Sequence, residues 1–189
     1  MTLPRLLVLT DRTQCRGSLI ATVATAVDAG ARAVVLREKD LAARYRDALA
    51  AELRELLDPV GGLLVRAGAG SGDAVHLAAR DPFPSPRPGL VGRSCHDAAE
   101  VARAHGEGCD WVFVSPVFLT ASKPGYGPAL GLAGLAALVP QDPPVYALGG
   151  IGPDRVAGCL AAGARGVAVL GTVMRDPASV HDLLAALGD

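Results

Sequence analysis

The sequence predicts an α/β protein that forms a single TIM, or (β/α)₈, barrel domain over residues 1–189. Short strands that are apolar on both faces alternate with alanine-rich helical stretches, which is typical of a parallel sheet covered by helices. Residues 28–36 and 162–170 nearly repeat each other, each with a helix end, a glycine and an apolar strand. Aromatic residues make up only 4% of the chain, so small aliphatic side chains must build the core.

Counting outward from these repeats identifies eight strands, the number that a closed barrel of this class requires. The predicted strands are 5–10, 32–37, 62–66, 74–79, 90–94, 110–115, 144–148 and 166–170. Apolar residues at spacings of three and four predict helices between them. The predicted helices are 18–29, 41–57, 97–106, 130–139, 153–162 and 177–187.

Two connections lack the helical pattern. Residues 66–73 are rich in glycine and residues 81–89 are rich in proline, and neither composition favours a helix. We therefore expect a barrel without the outer helices after strands 3 and 4. These strands would be partly bare or covered by a second copy of the chain, and a homodimer over this gap is one hypothesis.

The charge and cysteine content of the chain limit the classes of partner and metal site that are expected. With 18 Lys and Arg against 19 Asp and Glu, the net charge of −1 argues against nucleic acid or a membrane surface as a partner. The four cysteines form no CxxC pair, which favours reduced thiols over a metal site. No signal-type apolar segment and no run of ~18 apolar residues occurs, so a cytoplasmic protein is expected.

Barrels of this class carry their sites in the loops at the carboxyl ends of the strands. Gly149 and Gly150 follow strand 7 and precede Pro153 at the start of a helix, while Gly171 follows strand 8 and precedes the final helix. Backbone N–H groups at such positions suit a phosphate. The same glycines could alternatively serve only the tight turns. The two loops together favour a phosphate site.

Cationic side chains follow strand 2. Arg37 and Lys39 are alternate residues, so both can point into the barrel mouth and bind a diphosphate. They could instead pair with Glu38 or Asp40.

The loop after strand 6 carries Thr120, Ser122 and Lys123. Hydroxyl groups and a lysine among glycines suit an anionic group beneath a closing lid. The alternative is an ordinary solvated loop.

Other candidates have a structural alternative. His96 could be a general base, although its place at the start of a helix favours a capping role, and His76 is expected in the core. Asp11 and Asp81 are candidate Mg²⁺ ligands or turn residues. Cys95 has no activating neighbour in the sequence, so it is not expected to be a nucleophile.

Several segments, in this order and spacing, resemble a known family. They are Leu9–Arg12, Val35–Asp40, Gly92–His96, Pro116–Pro124, Ala147–Ile151 and Gly166–Leu170. The chain resembles the thiamine phosphate synthase and TenI superfamily over nearly its whole length. This resemblance implies a TIM barrel that joins 4-amino-2-methyl-5-hydroxymethylpyrimidine diphosphate to thiazole phosphate and releases pyrophosphate with Mg²⁺.

The resemblance also implies roles for individual residues. The groups around the pyrimidine diphosphate would be Arg37, Lys39, Ser94 and Lys123, with Asp81 as a magnesium ligand. The thiazole phosphate would lie against Thr120, Ser122, Gly149, Gly150, Leu170 and Gly171. Neutralisation of the leaving diphosphate and positioning of the two rings would then drive the reaction.

The chain departs from the synthase pattern at two places. Val35 stands where synthases have glutamine, and the glycine run 67–72 stands where they have an Asn-Asp pair. The stretch Gly92–Ser94 resembles TenI-type proteins, which makes a thiazole tautomerase an alternative; Ser115-Pro116 replaces its histidine, so Glu38 or His96 would have to serve. A non-catalytic regulatory protein that binds thiazole phosphate is a further alternative.

Overall fold

The computed structural model describes residues 3–68, 72–120, 128–139 and 142–189. Eight parallel strands form a closed barrel in sequence order, and the last strand pairs with the first. The strands are Leu6–Leu9 (β1), Ala33–Leu36 (β2), Leu63–Ala67 (β3), Ala74–Leu77 (β4), Leu90–Cys95 (β5), Trp111–Val114 (β6), Val145–Leu148 (β7) and Gly166–Val169 (β8). The predicted TIM-barrel fold is confirmed, with strand ends shifted by one or two residues.

Helices cover the outside of this barrel. They are Leu19–Asp28 (α1), Ala43–Leu57 (α2), Ala98–Gly106 (α3), Gly131–Ala137 (α4), Pro153–Ala161 (α5), Gly171–Arg175 (α6) and Val180–Leu187 (α7). All six predicted helices are found. Gly171 precedes the final helix as predicted, but it also begins the short helix α6, which was not predicted; with five residues, α6 is too short to show a helical period.

The two faces of the strands build two separate cores, because successive side chains of a strand point to opposite sides. Side chains that alternate with the inward ones lie between the strands and the helices, as Leu6 and Val8 do. Inward side chains fill the barrel, with Leu7, Phe113 and Tyr146 among them. Side chains therefore fill the interior of the barrel over much of its length.

Gly92 and Trp111 form the tightest contact inside the barrel. The two residues are register partners on β5 and β6, and Trp111 is fully buried. A Cβ atom added to Gly92 would lie 2.0 Å from Cε2 of the Trp111 indole. The absence of a side chain at position 92 therefore gives the indole its space.

We predict that Gly92→Ala lowers the free energy of unfolding by about 1–3 kcal/mol, because an extra methyl group forces a packed core to shift. Gly106→Ala is the matched control, since Gly106 lies at the end of α3 with nothing within 4 Å of an added Cβ. Urea unfolding followed by far-UV circular dichroism measures both. Equal stability of Gly92→Ala and the wild type would contradict the packing argument.

The two connections without helical pattern are as expected in the described residues. Between β4 and β5, residues 78–89 contain no helix, and none occurs in the described residues between β3 and β4. The expectation that strand 4 would be partly bare is wrong, because Val75 and Leu77 are fully buried. Phe83 of the proline-rich connection packs against the same core cluster and takes part in this cover.

The outer side of β3 is less protected. On this side Leu64 and Arg66 alternate with inward-facing Val65, and both are only partly buried. Among the described residues, no helix combines the length and the apolar character that a membrane span requires.

Candidate functional site

A cavity of about 530 Å³ opens at the carboxyl end of the barrel. Its volume is that of a typical small-molecule site. Apolar side chains from the strands form its walls, namely Leu9, Val35, Phe113, Leu148, Ala168 and Leu170. Polar and charged side chains from the loops lie around them. This is the end of the barrel at which the sequence predicted the site.

Arg37 and Lys39 both line this cavity, whereas Glu38 between them does not. The Glu38 carboxylate is buried and accepts hydrogen bonds from the backbone N–H of Arg12 (3.0 Å) and from Arg12 Nη1 (2.9 Å). The guanidinium of Arg12 also donates to both carboxylate oxygens of Asp40 (2.8 and 2.5 Å). Arg12 thus pairs with Glu38 and Asp40, the two carboxylates that could have neutralised the cavity cations.

The backbone of this turn is held from β1. The hydroxyl oxygen of Thr10, fully buried, accepts the N–H of Arg37 at 2.9 Å, and the N–H of Lys39 donates to the carbonyl of Arg37 at 2.8 Å. The prediction that alternation brings Arg37 and Lys39 to one mouth is therefore confirmed by their positions.

The glycine loops after the paired strands β7 and β8 also line the cavity. Gly149 and Gly150 have φ angles of +106° and +64°, a region that favours glycine. A Cβ on Gly150 would also lie 2.4 Å from the carbonyl oxygen of Leu119. Both conformation and space therefore require glycine at position 150.

These loops present unused backbone donors to the cavity. In the described part of the chain, the N–H groups of Gly150, Ile151, Gly171 and Thr172 donate to no other group, and all four residues line the cavity. The hydroxyl of Thr172 donates to the carbonyl of Ile151 at 2.7 Å and so ties the two loops together. Converging N–H groups of this kind suit a phosphate.

Ser94 is held by His76 at the floor of the cavity. The hydroxyl of Ser94 and Nε2 of His76 lie 3.0 Å apart, and the imidazole stacks on Phe113 with ring centroids 3.9 Å apart. His76 is buried, as expected, but its ring lines the cavity instead of the helix-covered core. Burial, with a smaller contribution from the nearby charges of Lys39 and Arg93, lowers the pKa of His76 to about 3.

We predict that His76 makes the protein less stable in mild acid. Below pH 6.5 the unfolded chain takes up a proton at this histidine and the folded chain does not, so the free energy of unfolding falls as the pH falls from 6.5 towards 3. Between pH 7 and pH 5 this loss is about 2 kcal/mol. His76→Phe keeps the ring stack and removes this part of the slope.

Urea unfolding at both pH values measures the effect, with His105→Gln as the control because His105 is exposed on α3. Equal pH slopes for the wild type and His76→Phe would contradict the assignment.

His96 lies at the cavity and also joins two loops. Its Nδ1 lies 2.6 Å from the carbonyl oxygen of Ser115, and because a carbonyl only accepts, Nδ1 carries the proton. Its backbone N–H donates to Glu100, while the carboxylate of Asp97 accepts the N–H of Glu100 and caps α3. The expected position at a helix start is confirmed, and the ring itself lies at the site.

The carboxylates of Asp11 and Asp81, near the cavity, accept hydrogen bonds from residues close to them in the sequence. Asp11 accepts from Thr13 and Gln14 with its two oxygens. Asp81 accepts the N–H of Ala78 at 2.8 Å, closing a turn, and it is not among the residues that line the cavity.

Mg²⁺ prefers several oxygen ligands in an octahedral arrangement. Nowhere in the described ranges do three or more His, Cys, Asp or Glu side chains come together as a metal site. Mg²⁺ is also commonly held by one or two carboxylates together with substrate phosphates. Asp81 lies outside the cavity lining, and the N–H of Ala78 binds one of its oxygens, which does not fit a metal ion shared with a ligand in the cavity. The expected Mg²⁺ itself stays a prediction.

The structure brings most of the predicted site residues together. Those that line the cavity are Arg37, Lys39, Ser94, Thr120, Gly149, Gly150, Leu170 and Gly171. Ser122 and Lys123 lie outside the described residues. Arg80 and Arg175 also line the cavity and were not predicted from the sequence. Arg80 lies three residues after β4, so the expectation that site residues follow the carboxyl ends of the strands could have identified it.

The fold and the site define a (β/α)₈ barrel whose mouth is built for anionic ligands. Comparison with known proteins agrees: the family model described as thiamine monophosphate synthase matches residues 6–173. The chain is 39% identical to the thiamine-phosphate synthase of Methanoculleus marisnigri, with 89% of this chain and 87% of that protein covered. It is also 39% identical to the thiamine-phosphate synthase of Thermobifida fusca, with 88% and 83% covered.

Among solved structures, thiamine phosphate pyrophosphorylase from Pyrococcus furiosus superposes with a TM-score of 0.84. The two are 26% identical, and the alignment covers 97% of this chain and 95% of that one. The chain belongs to the thiamine monophosphate synthase family.

Proposed function

We propose that this protein is a thiamine-phosphate synthase. It would transfer the pyrimidine methylene group of 4-amino-2-methyl-5-hydroxymethylpyrimidine diphosphate to the nitrogen of thiazole phosphate and release pyrophosphate. The observation that carries the proposal is that two kinds of anion-binding group line one cavity. The order of strands in the ring separates the loops after β2 and β4, which carry cations, from the paired strands β7 and β8, which carry the glycine loops.

The two kinds of group match the two phosphorylated substrates. The backbone N–H groups of Gly150, Ile151, Gly171 and Thr172, which donate to no described residue, suit a single phosphate, which is the anionic group of the thiazole substrate. Arginine and lysine side chains suit the greater charge of a diphosphate. The apolar walls between them, with Phe113 among them, suit two flat rings.

The chain's own groups support a dissociative reaction. Arg37 and Lys39 would stabilise the negative charge that collects on the diphosphate as its oxygen separates from the pyrimidine methylene carbon. The walls would hold the thiazole nitrogen against that carbon, so that its lone pair forms the new C–N bond. No side-chain nucleophile is needed, and burial raises the pKa of the Cys95 thiol to about 12, which keeps it uncharged.

The tautomerase alternative has less support. Glu38, one of its two candidate bases, is buried in its contacts with Arg12 and does not line the cavity. His96 does line it. A product assay distinguishes the synthase from both alternatives. A tautomerase isomerises a thiazole without any pyrimidine substrate, and a regulatory protein binds thiazole phosphate without turnover.

The direct test is to incubate the purified protein with both substrates and to detect thiamine phosphate by its oxidation to a fluorescent thiochrome. Formation of thiamine phosphate is expected. Thiazole phosphate binding without product would contradict the catalytic proposal and leave the regulatory alternative.

We predict that Gly150→Ala raises KM for thiazole phosphate by about tenfold or more, because its side chain would strain a left-handed residue and collide with the Leu119 carbonyl. Gly61→Ala is the matched control. Gly61 has nearly the same φ, +63°, but nothing lies within 4 Å of an added Cβ. Steady-state kinetics with each substrate varied in turn checks the effect, and an unchanged KM in Gly150→Ala would exclude this loop from the phosphate site.

A homodimer in the cytoplasm is part of the proposal. The partly exposed outer side of β3, which includes Leu64, is the surface that supports pairing; β4 needs no partner because its outward side chains are buried within the chain. Sedimentation velocity at micromolar concentration is expected to give a dimer, and a monomer would contradict it. Leu64→Glu would then be expected to separate the subunits.

A further inference from the structure

The cavity cations include Arg80, which was not among the residues predicted from the sequence. Arg80 lies in the loop after β4 and lines the cavity with Arg37, Lys39 and Arg175. In the described part of the chain, the side chains of Arg37, Lys39 and Arg80 make no hydrogen bond and no ion pair. Arg175, by contrast, donates to Gln14 at 2.6 Å. Three cationic groups are therefore available to a ligand.

Arg80 is held in place by the backbone on both of its sides. The turn from Ala78 to Asp81 is closed by two hydrogen bonds, from Ala78 N–H to the Asp81 carboxylate (2.8 Å) and from Asp81 N–H to the Ala78 carbonyl (3.1 Å). Asp81 thereby serves the turn that presents Arg80.

Arg93 secures the same turn from beneath. It is fully buried, and its Nη1 donates to the carbonyls of Ala78, Ala79 and Asp81 at 2.9–3.1 Å. Its Nη2 lies 2.6 Å from a Glu107 carboxylate oxygen, so the buried charge is balanced. A buried guanidinium that binds three carbonyls of one turn fixes the backbone of Arg80 relative to the barrel.

The balance of charged side chains at the cavity also favours binding of a diphosphate. Four cationic side chains line it, against the carboxylates of Asp11 and Glu100, both of which accept hydrogen bonds from neighbouring groups. Asp81, the carboxylate expected to hold a divalent cation, does not line the cavity, and one of its oxygens is bound by the N–H of Ala78. A diphosphate in this cavity would meet guanidinium and ammonium groups, which donate directly to its oxygens.

We infer that the cavity binds the diphosphate group through Arg37, Lys39 and Arg80 and does not need a divalent cation to do so. This inference rests on the proposed function, since it concerns the leaving group of the same reaction. Arg80 would donate to the diphosphate oxygens where a metal ion would otherwise supply positive charge.

The test is calorimetric titration with inorganic pyrophosphate, the released product, first in EDTA and then in Mg²⁺. We expect binding in EDTA, with a Kd within a few-fold of that in Mg²⁺. Arg80→Ala is expected to weaken binding in EDTA by about tenfold, the effect of losing one direct charge-assisted contact of moderate strength. Arg80→Lys should recover part of this loss.

Arg165→Ala is the matched control, because this substitution removes the same charge from another exposed position. Arg165 lies just before β8, at the amino end of the strand and outside the cavity lining. Arg80 is itself exposed in a turn built from backbone contacts, so its variants should fold, which circular dichroism checks. Pyrophosphate binding that occurs only with Mg²⁺ would overturn the inference. Equal losses in Arg80→Ala and Arg165→Ala would also overturn it, since the effect would then be one of net charge.

The thiamine phosphate assay keeps the two proposals apart. Product in Mg²⁺, together with pyrophosphate binding that is lost in EDTA, would support the synthase and overturn metal-independent binding. Pyrophosphate binding in EDTA without product under either condition would overturn the synthase, while the arginine and lysine site for a diphosphate would stand.

Discussion

Closure of eight parallel strands into one ring is the constraint on which the rest of this structure depends. All strands of a parallel barrel point the same way, so every carboxyl end reaches the same rim. Loops that are far apart in the sequence, such as those after β2 and β8, are thereby brought to one cavity. The ring in turn depends on close internal packing, of which the contact between Gly92 and Trp111 is the tightest example.

Alternation along the chain sorts charges at this rim. At the end of β2 it sends Arg37 and Lys39 to the cavity and Glu38 to the buried side, where Arg12 receives it. A lone buried carboxylate would be costly, and the Arg12 guanidinium removes that cost while keeping Glu38 away from the cavity cations. The positive character of the mouth thus follows from a pairing outside it.

In the turn after β4, some residues likewise fix the backbone while a neighbour faces the cavity. Arg93 and Asp81 hold one turn, and the neighbouring Arg80 faces the cavity. The Thr172 hydroxyl joins the two glycine loops, whose cavity-lining N–H groups donate to no described residue. In each case a hydrogen bond to a backbone carbonyl or N–H fixes a loop, and an adjacent group is left for the ligand.

Much of the fold and part of the site could be predicted from the sequence. The strands were predictable because apolar runs such as Val34–Leu36 and Val167–Val169 are buried on both faces, a pattern that needs no knowledge of neighbours. The glycine loops and the Arg37–Lys39 pair were predictable because a turn type and a two-residue period are local properties.

Tertiary structure alone decided which charges meet. Asp81 has the chemistry of a magnesium ligand in the sequence, yet in the fold it closes a turn that Arg93 reinforces from β5. His76 has the pattern of a core residue, yet its inward position places it beneath Ser94 at the cavity floor. Helix α6 is too short for its period to appear. The sequence by itself therefore determined the order of strands, helices and loops, because these follow from local periodicity, whereas hydrogen-bond and charge partners depend on distances that exist only after the barrel closes.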